Sequence, residues 1–328
     1  MPEKITPIYS GKPEDFCWVG FGSGSGTNLR ECAKVIKPAL IVCDKPKAKL
    51  AHPEKAKEYN LEVLADVPRM DDINSYKECG SWKAIEGNDE AEIRYKRRSI
   101  AYNEKIVAKL KEFEEKQGKP IDLIVLGGYM RLVEYPLLEA YKDKIINVHP
   151  ADLSILDFSI VNSYLDESGL DQVIKHLGKK AGVEIMMMRD RELEGKASVK
   201  AMRKYIGEDA VYDALFKKGS EYSTRSSVII VDEGIDHGEI LTIGPKVRTN
   251  FKRSGLTLPG QDKWEREQAE AHQEKQKERS DWPSLTTSLR LIAEGQLGLG
   301  TKKEWFNEWR AVYVGTAKMP YHGFEIER

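Results

Sequence analysis

Cysteine is scarce: Cys17, Cys32, Cys43 and Cys79 are the four thiols of a 328-residue chain. None sits in a C-x-x-C pair, and no histidine is spaced to complete a zinc site, so neither a disulfide framework nor a structural zinc centre is expected. The expectation is reduced thiols in a cytoplasmic enzyme, with no metal. An excess of positive charge is lacking too: 52 Lys and Arg stand against 53 Asp and Glu, a formal net charge of −1. That balance argues against a nucleic-acid partner, whose binding depends on excess Lys and Arg, although a local phosphate site stays open. No apolar run approaches the roughly 18 residues of a membrane span, and the opening Met-Pro-Glu-Lys has no apolar signal core. No membrane partner is expected. Hydrophobic residues make up 40% and charged residues 32%, the balance of a globular protein long enough for one large or two ordinary domains.

Short apolar runs alternate with helical periodicity. Residues 16–21 (FCWVGF) read as a strand, and the loop Gly22-Ser-Gly-Ser-Gly-Thr-Asn28 follows it directly. A helix then places Leu29, Cys32, Ala33 and Ile36 on one face until Pro38 stops it. Residues 39–43 are a second buried strand, 48–59 a charged helix and 61–64 a third strand. A long helix covers 95–117, with strands at 121–126 and 144–148. Further strands fall at 183–188, 226–231 and 238–243, a charged helix at 261–281 and an amphipathic one at 284–294. Strands alternating with helices predict an α/β fold, a doubly wound, mostly parallel sheet. Ligands on such sheets sit at the carboxyl ends of strands. The glycine loop, Gly127-Gly128-Tyr129-Met130 and Asn147-Val148-His149 all fall at such ends.

Three motifs carry chemistry. A strand, three alternate glycines and a helix starting at Thr27-Asn28 gather backbone N–H groups at a helix N-terminus, which attracts an anion, usually a phosphate. The alternative is a tight turn without a ligand. Asp44 ends the second strand where a ribose-binding acid would lie, but the loop is G-x-G-x-G followed by Thr27, not G-x-G-x-x-G, which disfavours a nicotinamide cofactor. Asn147 and His149 alternate on an emerging strand and share a face. An amide donor beside an imidazole can polarise a carbonyl and move a proton, whereas a lone histidine at a strand end can equally be structural. The loop Asp232-Glu-Gly-Ile-Asp236-His-Gly238 frames an acid between two strands, and its alternative is a simple hairpin turn. His237 takes the bland role, because neighbours in extended chain face opposite ways.

Together and in this order the motifs resemble the folate-dependent formyltransferase family, and within it the branch acting on phosphoribosylglycinamide. The stretches that carry the likeness are Gly22–Asn28 with Leu29, Leu126–Leu132, Ile146–Pro150 and Val231–Gly238, with weaker matches at Lys204–Gly207 and at Glu278, five residues before Pro283. The resemblance implies a transferase of one-carbon metabolism that moves a formyl group from 10-formyltetrahydrofolate to the amine of phosphoribosylglycinamide in purine biosynthesis. It implies Gly24, Ser25, Gly26, Thr27 and Asn28 around the substrate phosphate, Arg98 and Glu278 on the substrate, and Met130, Arg131, Leu132 and Val133 around the folate. Asn147 would hydrogen-bond the formyl oxygen, His149 would stabilise and protonate the tetrahedral intermediate, and Asp236 would hold His149 charged.

The chain departs from that pattern in several places. Ala151 stands where the family usually has Ser, Ile229 where a histidine is common, and Asp209 and Val211 where histidines are expected. The phosphate-binding arginine of the family falls at Ser99, one residue beyond Arg98. A segment at about 153–203 replaces a short loop. It is expected to cover the cleft or to dock on a second copy of the chain, a homodimer, through Val183–Met188. The expected organisation is a catalytic domain over 1–296 carrying that insertion, and a C-terminal extension over 297–328. The alternatives are a formyltransferase for another amine, such as an amino-sugar nucleotide, and a formyltetrahydrofolate deformylase with water as acceptor.

Overall fold

The computed structural model describes residues 4–70, 72–80, 89–150, 153, 223–233, 238–248, 271, 273–304, 307–320 and 323–327. The expected strand at 183–188, the 153–203 segment beyond Leu153, Lys204–Gly207 and Asp236 lie outside these residues. In chain order the strands are β1 (Lys4–Pro7), β2 (Trp18–Gly22), β3 (Leu40–Cys43), β4 (Arg69–Met70), β5 (Leu123–Leu126), β6 (Ile145–His149) and β7 (Ser223–Thr224). They continue with β8 (Ser227–Ile230), β9 (Ile240–Ile243), β10 (Val247–Arg248), β11 (Leu297–Glu304), β12 (Asn307–Val314), β13 (Ala317–Lys318) and β14 (Phe324–Glu325). The α-helices are α1 (Thr27–Val35), α2 (Ser75–Cys79), α3 (Asp89–Gln117), α4 (Tyr135–Ala140) and α5 (Trp282–Ala293), the last entered through a π-helical turn, Lys277–Asp281.

Eight strands form the central sheet in the order β14-β9-β8-β6-β5-β2-β3-β4. The β6-β5-β2-β3-β4 stretch is parallel throughout, β8 is antiparallel to both β6 and β9, and β14 rejoins β9 in parallel. The expected doubly wound, mostly parallel sheet is thus present, with an antiparallel interruption at β8. The short strands are apolar without alternation because both faces are covered. On one face Trp18, Ile41, Val125 and Val148 pack with Leu29 and Cys32 of α1 and Leu285, Leu289 and Ile292 of α5. On the other, Val19, Phe21, Val42 and Ile124 meet Tyr102, Ile106 and Leu110 of α3 and Leu137 of α4.

Two sequence expectations are corrected. Residues 48–59 are not a helix but successive 3₁₀ turns at Lys49–Ala51 and Pro53–Lys55. Pro53 has no N–H to extend a helix begun at Lys49. Residues 61–64 are not a strand either: Glu62–Leu64 is another 3₁₀ turn, and the strand that pairs with β3 is β4. Arg69 closes this region by donating to the carbonyls of Leu50, Leu64 and Val67, a collection of orphan acceptors that local periodicity cannot reveal. After α5, β11 and β12 pair as an antiparallel hairpin, β1 adds to the β11 edge, and β14 extends the central sheet.

Candidate active site

The chain runs from β2 outward to β3 on one side and returns to β5 on the other, so the crevice beyond β2 and β5 is the topological switch point where such sheets bind ligands. Two glycine loops leave the sheet there and are stitched together. Ser23 N donates to Gly128 O at 3.2 Å, Gly127 N to Phe21 O at 2.8 Å, and Met130 N to Ser23 Oγ at 2.9 Å. Glycine is required at Gly127, where a Cβ would stand 2.6 Å from Leu29 Cδ2.

The first loop feeds α1. Gly26 is its N-cap, left-handed at φ 74°, and supplies no side-chain cap to the first-turn N–H groups. Ser25 is exposed, and Thr27 and Asn28 are half-buried. Trp282 Nε1 donates to Asn28 Oδ1 at 3.0 Å, and Arg30 lies over the same indole at 5.2 Å, tying the start of α5 to the start of α1. Gly26→Ala should cost about 1–2 kcal/mol, because a side chain is poorly tolerated in the left-handed region and its Cβ would also press on Leu50 Cδ1 at 2.6 Å. Gly24→Ala, with nothing within 4 Å of the added Cβ, should leave stability unchanged. Thermal melts of the two variants check the contrast.

The second loop carries the four residues expected around the folate. Met130 is 65% exposed, while Leu132 and Val133 are partly buried against the α3 face. Arg131 turns inward. Its Nε donates to Ser75 Oγ at 2.6 Å and Asp44 Oδ2 at 3.3 Å, and its Nη1 to Gly80 O at 2.7 Å. Its side chain is 4% exposed and that of Asp44 is fully buried, so the guanidinium serves the protein and leaves only the backbone of Arg131 for a ligand. Asp44 is likewise committed to Ser75 and Arg131, which removes it as a ribose-binding acid.

At the carboxyl end of β6, Asn147 is half-buried and His149 is 6% exposed. Asn147 stands opposite Ile229 and His149 opposite Ser227 in the antiparallel β6–β8 ladder. Ile229 packs with Leu153 and Ile240, so the position where the resembled family has a histidine is an apolar wall beside the amide. Only β5 separates β6 from the glycine-loop strand β2. The expected third member, Asp236, lies outside the described residues.

Sequence reading missed a further acid. The π-turn before α5 is seated against this strand end at two points: Gln276 Nε2 donates to Pro150 O at 2.8 Å, and Ser280 Oγ accepts from Ser226 N at 2.9 Å. Directly after Ser280 the turn delivers Asp281, 4% exposed. Burial pushes its carboxyl up to about 6, opposed by a hydrogen bond from Gln276 and by the charges of Lys277 and His149. The turn needs Gly244 beneath it, where a Cβ would lie 2.3 Å from Ser280 Oγ. Of the remaining candidates, Glu278 is exposed on the π-turn, and Arg98 donates from Nε and Nη2 to Cys79 O at the end of α2. Among the described residues no cluster of His, Cys, Asp and Glu could hold a metal ion, and no helix is long and apolar enough to cross a membrane.

Residues 21–202 match the family described as "Formyl transferase". The chain is 31% identical over 138 residues to the phosphoribosylglycinamide formyltransferase of Bacillus subtilis (strain 168), an overlap of 40% of this chain and 54% of the relative. It thus spans about half the length of that curated relative. Among solved structures, the phosphoribosylglycinamide formyltransferase of Coxiella burnetii is similar at a TM-score of 0.45 and 15% identity, covering 95% of this chain and 99% of the other. Glycinamide ribonucleotide transformylase 1 of Symbiobacterium toebii is similar at a TM-score of 0.39 and 19% identity, covering 91% and 94%. The family match runs over more than half of the chain and includes both glycine loops, Asn147 and His149, and on it the chain belongs to the formyl transferase family.

Proposed function

We propose that this protein transfers the formyl group of 10-formyltetrahydrofolate to the amine of phosphoribosylglycinamide, as a step of purine biosynthesis. The observation that carries the reading is the placement of the Asn147 amide and the buried His149 at one strand end, a single strand away from an anion-attracting glycine loop. Gly24, Ser25, Gly26, Thr27 and Asn28 take the substrate phosphate through backbone N–H groups and the helix dipole. Glu278 and Arg98 serve the remainder of the acceptor. The loop Met130–Val133 takes the folate, with Arg131 contributing backbone.

The acceptor nitrogen attacks the formyl carbon, and the carbonyl electron pair moves onto oxygen. Asn147 Nδ2 and a protonated His149 donate hydrogen bonds to that oxyanion, where preorganised donors act most strongly. Collapse restores the carbonyl, breaks the bond to N10 of the folate and hands that nitrogen a proton, while the acceptor nitrogen loses one. Asp236 keeps His149 charged and orders the water that carries the proton away. The test is to supply formyl-labelled donor with the ribotide, with an amino-sugar nucleotide and with neither. The expected result is label on the ribotide with matching release of tetrahydrofolate. Label on the sugar nucleotide alone, or as free formate without an acceptor, overturns the assignment.

A further inference from the structure

The apolar stripe of α3 is interrupted by an amide. Asn103 falls on the same side of the helix as Tyr95, Tyr102, Ile106 and Leu110 and, like them, is buried. A side-chain amide in that setting is costly unless its polar atoms find partners, and here they do. Nδ2 donates to Ser99 O at 2.7 Å, one helical turn back, and to Leu132 O at 3.1 Å, while Oδ1 accepts from Glu134 N at 3.3 Å. The bond to Ser99 is local. The other two cross 29 and 31 residues of chain to reach the loop that leaves β5, where Leu132 and Val133 also pack against the α3 face.

The two loop partners bracket Val133. The carbonyl before that residue and the N–H after it both turn to Asn103, as they would to a neighbouring strand. The N–H and C=O of Val133 itself then face the opposite way. Neither is hydrogen-bonded among the described residues. The amide thus takes the place of a missing strand for one residue, and leaves a main-chain donor and acceptor side by side on the far side of the loop. Arg131 fixes the loop one residue earlier through Ser75 and Gly80, so Asn103 secures the part that Arg131 does not. We infer that Asn103 is a positioning residue for the folate donor, holding Leu132 and Glu134 so that the Val133 main chain stays turned to the ligand. The identity of the ligand rests on the formyl-transfer reading; the hold on the loop does not.

The test compares Asn103→Ser and Asn103→Leu with Leu110→Ala, a cavity variant two turns further along the same helix. Serine can still bond the carbonyl of Ser99, one turn back, but is too short to reach the loop; leucine makes none of the three bonds at nearly constant volume. In both Asn103 variants amide hydrogen exchange across residues 130–134 should quicken at least about tenfold. KM for 10-formyltetrahydrofolate should rise about tenfold, with kcat at saturating donor and KM for the amine within about twofold. The Kd of tetrahydrofolate, titrated without acceptor, should rise in step. Leu110→Ala should melt lower with the donor KM unchanged, which separates positioning from loss of stability. Donor KM and tetrahydrofolate affinity within about twofold of the wild type in both Asn103 variants overturn the inference, as does an equal rise of donor KM in Leu110→Ala. A wild type that binds no tetrahydrofolate, with loop amides freed in the Asn103 variants, sustains the hold on the loop and defeats the formyl-transfer reading instead.

Discussion

Replacing His149 by Asn should lower kcat for formyl transfer by about a thousandfold while leaving KM for both substrates within a few-fold, the loss expected when a positioned acid and charged donor are removed together. Asn is polar and close to the size of the imidazole, so it leaves little cavity at a site that is 6% exposed. It can still donate a hydrogen bond to the oxyanion, but it carries no positive charge and no transferable proton near neutral pH. Asn147→Ala removes the other donor and should cost about a hundredfold. The double variant should fall well short of the product of the two, because both residues stabilise one developing charge and act as a unit. Full multiplicativity in kcat would separate the two residues and remove the shared-oxyanion mechanism. The melting temperature of each variant, unchanged, keeps the loss from being read as unfolding.

The strands that place these residues were legible because each is an apolar run closed by a glycine or a strand-end polar residue: 16–21 against the observed Trp18–Gly22, 39–43 against Leu40–Cys43, and 144–148 against Ile145–His149. Period and burial agree where both faces of a sheet are covered. Legibility failed between residues 48 and 64, where hydrogen bonding is assembled by Arg69 from beyond the segment. It failed again at Asp281. In the sequence that acid sits among Lys277, Glu278 and Arg279, and it reads as one more charge on a solvated helix. Only the packing of the π-turn on Pro150 and Ser226 buries it. The inward turn of the Arg131 side chain was illegible for a related reason: a motif position indicates that the loop lines a pocket, not which way a long side chain turns. Its partners Asp44, Ser75 and Gly80 lie between 51 and 87 residues away, and such distant pairing has no local signature.

Replacing Arg131 by Met should destabilise the protein by about 3–5 kcal/mol. Arg131 and Asp44 are 4% and 0% exposed at the side chain, and water cannot solvate the acid once its partner is gone. Among the described residues, what remains for Asp44 is the hydroxyl of Ser75, with Oδ1 already lacking a hydrogen-bond partner. Breaking a buried pair from one side leaves an uncompensated charge, whereas removing both partners does not. The double variant Asp44→Leu, Arg131→Met should therefore recover most of the loss, to within about 1.5 kcal/mol of the wild type. Urea denaturation reads both, with the midpoint of the single variant falling and that of the double returning. The same lock ties the loop after β5 to the end of β3 and to α2 through Gly80 O. Its removal should then raise KM for the folate donor at least about tenfold in the double variant, with KM for the amine acceptor little changed, because positioning energy is lost from one pocket only. Equal urea midpoints for the single and double variants would mean that the pair is not an isolated charge couple, and an unchanged donor KM would mean that the loop holds its shape without it.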